Sequence, residues 1–370
     1  MKVGLFGGSF DPFHEGHEHL LFSALKENVF DEIIIIPNFQ SPHKNKSDNN
    51  IKKRLHILQE KLPSLQKKIS LQQKNCCLKL SLIECERKSY TIDTLRSLKK
   101  ENPENHYWLL IGSDSFFSLH TWKSFDEVLT QCKLCVIKRD QKTKKEYKFY
   151  AKEILKIENS HWHCCKNKAN TTSSSLLKMQ NESVIIGICG RVGSGKSTAL
   201  NILSKALNAR AIELDLLGHE ILIQHHALFI KYFGSDIQEN NKIDRKKLGK
   251  LIFHNEEKRK ILNALSHPFI KQSALQKINK KGITLICGAL LFEIELANHC
   301  HSIINIDAPS QEIIKKIGKK FKPISKTQLS KNQFIKKCPI TVHNTFNNHF
   351  KKNLKDLAQE LLHFKNFSVQ

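Results

Sequence analysis

The chain has 370 residues, 40% of them hydrophobic and 26% charged, and 60 Lys+Arg against 35 Asp+Glu give it a formal charge of +25. Apolar residues in that share, spread along the whole length, exclude a mainly disordered or fibrous protein, and the length suits roughly two or three domains with separate cores. Only eight of the 60 basic residues are Arg, the side chain suited to bidentate recognition of phosphates and bases. The charge therefore reads as a solvated Lys surface facing polyanionic small substrates, and it argues against nucleic acid as the main partner.

No run of about 18 apolar residues occurs, so no membrane span is expected. The sequence runs from Met1 straight into an apolar strand and a glycine turn, without the pattern of a secretory signal, and a cytoplasmic location is expected. Eleven Cys at irregular spacings then read as reduced thiols.

In chain order, a strand is expected at 2–6, and a helix at 16–28, where Leu20, Leu21, Ala24 and Leu25 recur near the helical period. A strand at 32–37, a helix at 50–62, a strand at 78–83 and a helix at 91–100 follow. Strands at 107–112 and 133–137 flank a helix at 125–130. Alternation of this kind predicts a parallel sheet covered on both faces. Residues 138–148 are highly polar and 160–181 are rich in Asn, Ser, Thr and Lys, which places a boundary near 181. Beyond it, strands are expected at 184–189, 211–214, 283–287 and 302–307, and helices at 196–207, 248–253, 268–279, 310–319 and 350–362. The expected fold class is α/β, with two parallel-sheet domains over 1–181 and 182–370 and no internal repeat.

The first turn reads Gly7-Gly8-Ser9-Phe10-Asp11-Pro12-Phe13-His14-Glu15-Gly16-His17. It puts His17 in the first turn of a helix, whose free N–H groups and dipole favour a phosphate, and two imidazoles three residues apart add donors. Taken alone, His-x-Gly-His is more often a metal pair or two surface histidines than a phosphate site. The full stretch resembles the signature of the His-x-Gly-His nucleotidylyltransferase superfamily, with a Rossmann-like domain. Three further segments are similar to nicotinate-nucleotide adenylyltransferases: Pro37-Asn38-Phe39-Gln40-Ser41-Pro42-His43-Lys44, Ser89-Tyr90-Thr91-Ile92-Asp93-Thr94-Leu95, and Gly112-Ser113-Asp114 followed by Trp122. The likeness covers about residues 1–180.

The resemblance implies in-line attack of a mononucleotide phosphate on the α-phosphate of ATP. His14 and His17 would hold the ATP phosphates, with His17 stabilising the transition state, Lys44 adding a point charge, and Gly7, Gly8 and Ser9 lining the nucleotide. Tyr90, Thr91 and Trp122 would hold the pyridine end, although such aromatics also serve as core residues. Asp114 would read a ribose or adenine group, or else cap a helix. The family's closing Ile-Ser-Ser-Thr-x-Ile-Arg appears as Thr172-Ser173-Ser174-Ser175-Leu176-Leu177-Lys178, which assigns Ser174 and Lys178 to the nucleotide with Lys in place of Arg. This form also resembles pantetheine-phosphate adenylyltransferases, which carry Thr-x-Gly-His at the first site and lack the Ser-Tyr-Thr-x-Asp-Thr-Leu segment.

The second half opens on Gly190-Arg191-Val192-Gly193-Ser194-Gly195-Lys196-Ser197, a G-x-x-x-x-G-K-[ST] sequence between a strand and an amphipathic helix. Backbone N–H groups of Gly190, Gly193, Ser194 and Gly195 are expected to cradle phosphates, Lys196 to reach the β and γ phosphates, Ser197 to ligate Mg²⁺, and Thr198 to line the nucleotide. Ile212-Glu213-Leu214-Asp215, Ile243-Asp244-Arg245, His267-Pro268, Leu290-Leu291-Phe292-Glu293 and Ile306-Asp307-Ala308-Pro309 make residues 183–365 resemble the dephospho-coenzyme A kinases, P-loop enzymes that use ATP and Mg²⁺. By that resemblance Asp215 orients or deprotonates the attacking 3′-hydroxyl, and Glu213, His267 and Glu293 face the substrate. Lys316 and Lys320 stand where the family's lid carries arginines, and no Arg follows Arg259. The implied partners are ATP, nicotinate mononucleotide and dephospho-coenzyme A.

Two further clusters carry metal-ligand residue types. Cys132 and Cys135 lie three apart on an expected strand and so face opposite sides, against a zinc knuckle. His161, His163, Cys164 and Cys165 are either ligands or ordinary loop residues.

Overall fold

A computed structural model describes residues 1–11, 13–38, 51–73, 75–85, 89–140, 142–165, 183–253, 255–279, 281–318 and 329–367. Lys44, Ser174, Lys178 and Lys320 lie outside the described residues. The chain divides into two compact units, Met1–Lys178 with Asn255–Pro268 and Met179–His254 with Phe269–Gln370. Among the described residues no helix is long and apolar enough to cross a membrane.

The first unit runs β1 (Lys2–Gly8), α1 (Glu15–Glu27), β2 (Glu32–Pro37), α2 (Ile51–Gln72), β3 (Cys77–Leu80), α3 (Thr91–Glu101), β4 (His106–Gly112), α4 (Ser113–Phe116), α5 (Phe125–Gln131), β5 (Cys132–Ile137), α6 (Lys144–Phe149) and β6 (Trp162–Cys165). Its six strands are ordered β3-β2-β1-β4-β5-β6, and every pairing is parallel. All six residues of β2 are buried, as a parallel strand covered on both faces requires. Leu21, Ala24, Leu58, Leu65 and Ile69 pack against Ile33 and Ile35 in the core. This strand order reverses direction between β1 and β4, and the crevice beyond the carboxyl ends of strands at such a point is where doubly wound sheets bind ligands.

Two expectations give way here. The helix expected to stop before Pro63 continues to Gln72. A proline inside a helix removes one hydrogen bond, but Leu58, Leu65 and Ile69 keep one buried face on both sides of it, and that burial outweighs the local cost. The segment expected as loop from 160 contains β6, an edge strand of four residues paired with β5 alone.

The second unit has five strands, β7 (Ser183–Cys189), β8 (Arg210–Glu213), β11 (Gly282–Cys287), β12 (Ser302–Asp307) and β13 (Ile340–His343), ordered β13-β12-β7-β11-β8 and all parallel. A two-stranded antiparallel ribbon, β9 (Gln238–Glu239) with β10 (Lys242–Ile243), stands apart from that sheet. The helix Lys196–Ala206 follows β7 and buries Ala199, Leu200 and Leu203 against the sheet. Edge strand β13 was not foreseen. The helix expected to begin at Pro268 instead spans Glu256–Gln276: Asn255 Oδ1 accepts from Lys258 N at 2.9 Å and caps its start, and Leu265 before the proline and Phe269, Ile270 and Ala274 after it are buried.

Candidate active sites

The turn after β1 is shaped by its aromatic residues. Phe10 has φ +44°, a left-handed conformation that is strained for a bulky side chain. A Cβ on Gly8 would come within 3.0 Å of the Phe10 ring, so glycine there lets the ring fold back into the core. Phe10 and Phe13 then enclose His17, with ring centroids 5.1 and 5.3 Å away. Behind them Arg54, buried on α2, donates to the carbonyls of Ser9 and Asn38 and ties together the turns after β1 and β2.

His14 caps α1. Its Nδ1 accepts from Gly16 N at 3.0 Å, while its own backbone N–H donates to His17 Nδ1 at 3.2 Å. An Nδ1 that accepts carries no proton, so each neutral imidazole holds its proton on Nε2. The two rings lie 3.9 Å apart. Burial, assisted by Arg139 and Lys61, lowers the pKa of His14 and keeps it neutral near pH 7. Two N–H donors thus stand at the positive end of a helix, a constellation for an anion.

Sequence reasoning missed Arg139, which follows β5. Its guanidinium donates to Gly16 O at 3.4 Å and its backbone N donates to Ser113 Oγ at 3.1 Å. Asp114 Oδ1 and Arg139 Nε lie 2.5 and 3.3 Å from where a Gly112 Cβ would stand, so glycine at the end of β4 is what lets both approach. Asp114 lies inside the first turn of α4 and Gly112 holds the cap position, which removes the capping reading of Asp114. The one signal available was compositional, an arginine at a strand end in a chain with only eight arginines among its 60 basic residues.

Tyr90 sits at the N-cap of α3 with Thr91 as its first residue, and Trp122 ends a short turn of helix before α5. Lys123 Nζ lies 4.5 Å over the Tyr90 ring and 3.6 Å from Asp93, while Arg96 and Glu127 form a two-bond ion pair. These contacts bring the start of α3 beside the Trp122 segment. Gly7 is exposed and Gly8 half-buried at the mouth of the turn.

In the second unit the loop after β7 has three residues with positive φ: Gly190 at +139°, Gly193 at +76° and Gly195 at +100°. A Cβ on Gly190 would stand 2.3 Å from Ile306 O, and one on Gly195 2.2 Å from Asn344 Nδ2. Lys196 Nζ donates to Arg191 O at 2.9 Å, folding the side chain across the loop. Burial pulls its pKa below the usual lysine value, opposed by Cys287, Asp215 and Glu213. Ser197 Oγ donates to Glu213 Oε1 at 2.7 Å, a pair of hard oxygen donors of the kind Mg²⁺ takes. Thr198 is exposed beside Ser197. Ser194 Oγ is buried and has no hydrogen-bond partner among the described residues, as expected where a ligand oxygen completes a site.

Other residues hold this loop, and the sequence did not mark them. Asn344, buried just beyond β13, donates to Ser194 O and accepts from Phe346 N, each at 2.8 Å. Arg191 donates to Ser310 Oγ at 2.8 Å and to Asp307 Oδ1 at 3.4 Å, and Asp307 also meets Lys331 at 2.8 Å. Lys316 Nζ rests 4.6 Å over the ring of Phe346. His267 lies in the segment grouped with the first unit, where burial pushes its pKa to about 4. Glu293 is exposed after β11.

A family model described as cytidylyltransferase-like matches residues 5–179, and one described as dephospho-CoA kinase matches 184–337. A Fusobacterium nucleatum protein named probable nicotinate-nucleotide adenylyltransferase is 31% identical over 195 residues, 52% of this chain and 94% of the relative. An Aquifex aeolicus protein of the same name is 34% identical over 160 residues, 42% of this chain and 89% of the relative. A dephospho-CoA kinase from Borrelia garinii is 31% identical over 205 residues, 51% of this chain and 100% of that kinase.

Proposed function

Because the chain belongs to the nicotinate-nucleotide adenylyltransferase family in its N-terminal half and to the dephospho-CoA kinase family in its C-terminal half, we propose that it is a bifunctional enzyme that uses ATP to make a precursor of NAD and to complete coenzyme A. The first half transfers adenylyl to nicotinate mononucleotide. A phosphate oxygen of the mononucleotide bonds to the α-phosphorus of ATP, the bond to the bridging oxygen breaks, and pyrophosphate leaves. The observation that supports this most is the pair of imidazoles with Nε2 protons at the start of α1. His14 and His17 donate to the phosphates, His17 most strongly as charge builds in the transition state, and Arg139 adds a fixed positive charge. Gly7, Gly8, Ser9 and Asp114 line the nucleotide, Tyr90, Thr91 and Trp122 hold the pyridine ring, and Lys44, Ser174 and Lys178 are assigned to phosphate by resemblance.

The second half phosphorylates the 3′-hydroxyl of dephospho-coenzyme A. Asp215 takes the hydroxyl proton as the oxygen bonds to the γ-phosphorus, and ADP leaves. Gly190, Gly193, Ser194 and Gly195 cradle the phosphates, Lys196 neutralises the β and γ groups, Thr198 borders the nucleotide, and His267 and Glu293 are the substrate contacts implied by resemblance. Lys316 and Lys320 serve as the lid's cations. Ser197 and Glu213 would hold Mg²⁺, which supplies charge neutralisation on the transferred phosphoryl group.

Product analysis tests both halves. The purified chain with ATP and Mg²⁺ should convert nicotinate mononucleotide to nicotinate adenine dinucleotide and dephospho-coenzyme A to coenzyme A. Faster adenylylation of phosphopantetheine would reassign the first half, and ATP binding without phosphorylation would make the second a nucleotide sensor.

A further inference from the structure

At the edge of the first sheet, cysteine and histidine side chains converge in an arrangement unconnected with phosphate. In the parallel pairing of β5 and β6, Cys135 is opposite His163 and Ile137 is opposite Cys165. Side chains alternate along a strand, so His163 and Cys165 share one face and Cys135 lies on the same face of the neighbouring strand. Cys135 Sγ and Cys165 Sγ are buried and 3.5 Å apart. The end of α1 covers this face. Glu27 Oε2 is 3.2 Å from His163 Nε2, and Asn28 Nδ2 donates to Cys135 Sγ at 3.5 Å and to Cys165 Sγ at 3.4 Å. Ligand atoms of Glu27, His163 and Cys165 all lie within 4.8 Å of one another.

We propose that Glu27, His163 and Cys165, the three side chains whose ligand atoms cluster, form a zinc site that fastens the edge strand β6 to the end of α1, with Cys135, 3.5 Å from Cys165 Sγ, turning in as the fourth ligand. Tetrahedral zinc with bonds of about 2.0–2.2 Å to nitrogen and oxygen sets those ligands roughly 3.3–3.5 Å apart, and bonds of about 2.3 Å set two sulfurs roughly 3.8 Å apart. The separations of 3.2 Å for Glu27 and His163 and 3.5 Å for the two sulfurs approach both values. Two thiolates, an imidazole and a carboxylate suit zinc over the harder Mg²⁺ or Ca²⁺. Binding releases the two thiol protons to solvent, the Asn28 amide donates to both sulfurs from outside the ligand shell, and Lys2, whose charge acts on both cysteines, offsets the remaining negative charge. Of the cysteines and histidines weighed from the sequence, Cys164 falls on the opposite face by alternation, and His161 is held by the carbonyls of Leu129 and Cys132. The site stands at the other end of α1 from His14, 13 residues of helix or about 20 Å away.

The test uses the full chain, kept reduced and purified without chelator. Elemental analysis should find one zinc per chain, and the metal-free protein titrated with Co²⁺ should show tetrahedral visible bands and a near-ultraviolet sulfur-to-cobalt band that Zn²⁺ displaces. His163→Ala and Glu27→Gln, at exposed positions that leave folding intact, should weaken Co²⁺ binding roughly tenfold or more. Cys165→Ser and Cys135→Ser should each diminish the sulfur band, and Cys164→Ser should leave it unchanged. Absence of the bands, or bands that survive His163→Ala and Cys165→Ser, would overturn the proposal. So would a Cys135–Cys165 disulfide in protein isolated without reductant.

Discussion

His17 lies in a cage of phenylalanines, its Nδ1 bound to the backbone of His14, so its Nε2 proton cannot move to the other nitrogen without breaking the helix cap. His17→Ala should lower adenylyl transfer by a factor on the order of a hundred or more, because one aimed transition-state donor is lost. Steady-state rates with nicotinate mononucleotide check this, and circular dichroism should show the fold retained. A second histidine reports on pH. Burial pushes the pKa of His299 down to about 4, and its Nδ1 has no hydrogen-bond partner among the described residues. Above pH 6.5 the folded and unfolded forms are both neutral and nothing changes. As pH falls from 6.5 toward 4, the unfolded chain takes up a proton that the folded chain refuses, and stability is lost. His299→Gln should remove on the order of 1–2 kcal/mol of that acid sensitivity, read as the difference between denaturation midpoints at pH 7.5 and pH 5 in the two proteins.

At the scale of elements, both candidate sites are strand–turn–helix units whose turns depend on segments distant in sequence. The loop at 190–197 hangs on Asn344, which bonds Ser194 O and Phe346 N from beyond an edge strand. Asn344→Ala leaves a carbonyl and an N–H unpaired in a buried place, at a cost of about 1–3 kcal/mol. Calorimetry should show weaker ATP binding to the second half, and unchanged affinity would mean that the loop keeps its shape without this anchor. The helix Ser310–Ile317 bears on the same loop: Ile313 lies 3.0 Å from where a Gly193 Cβ would stand, so its apolar side is committed to the loop. Lys316, on the exposed side, is then the cation that can swing from Phe346 toward a bound γ-phosphate. Lys316→Ala should reduce dephospho-coenzyme A phosphorylation at physiological salt, and Lys316→Arg should preserve or raise it.

For the whole molecule, two parallel sheets each present a candidate anion-binding turn at the carboxyl end of a central strand, β1 in one and β7 in the other. Each turn is built from residues of its own unit. His17→Ala should therefore leave dephospho-coenzyme A phosphorylation intact, and Lys196→Ala should abolish it while adenylyl transfer proceeds at its normal rate. Parallel assays of both reactions on each variant decide this, and equal loss of both activities in a folded variant would show that the sites depend on one another.

Much of this protein was fixed locally and could be read without coordinates. Central strands such as Glu32–Pro37 announced themselves because burial on both faces demands an unbroken apolar run. The histidine turn and the Gly190–Ser197 loop were legible as turns because their glycines and histidines stand close together in the sequence between a strand and a helix. Edge strands β6 and β13 were not read, and pairing with a single neighbour decides them. Two helices crossed prolines because tertiary burial overrode a local penalty. Arg139, Asn344 and the grouping of Glu27 with His163 and Cys165 became visible only once the sheets had formed. Their partners lie tens to more than a hundred residues away, and only the packing of one element on another brings such groups within bonding distance.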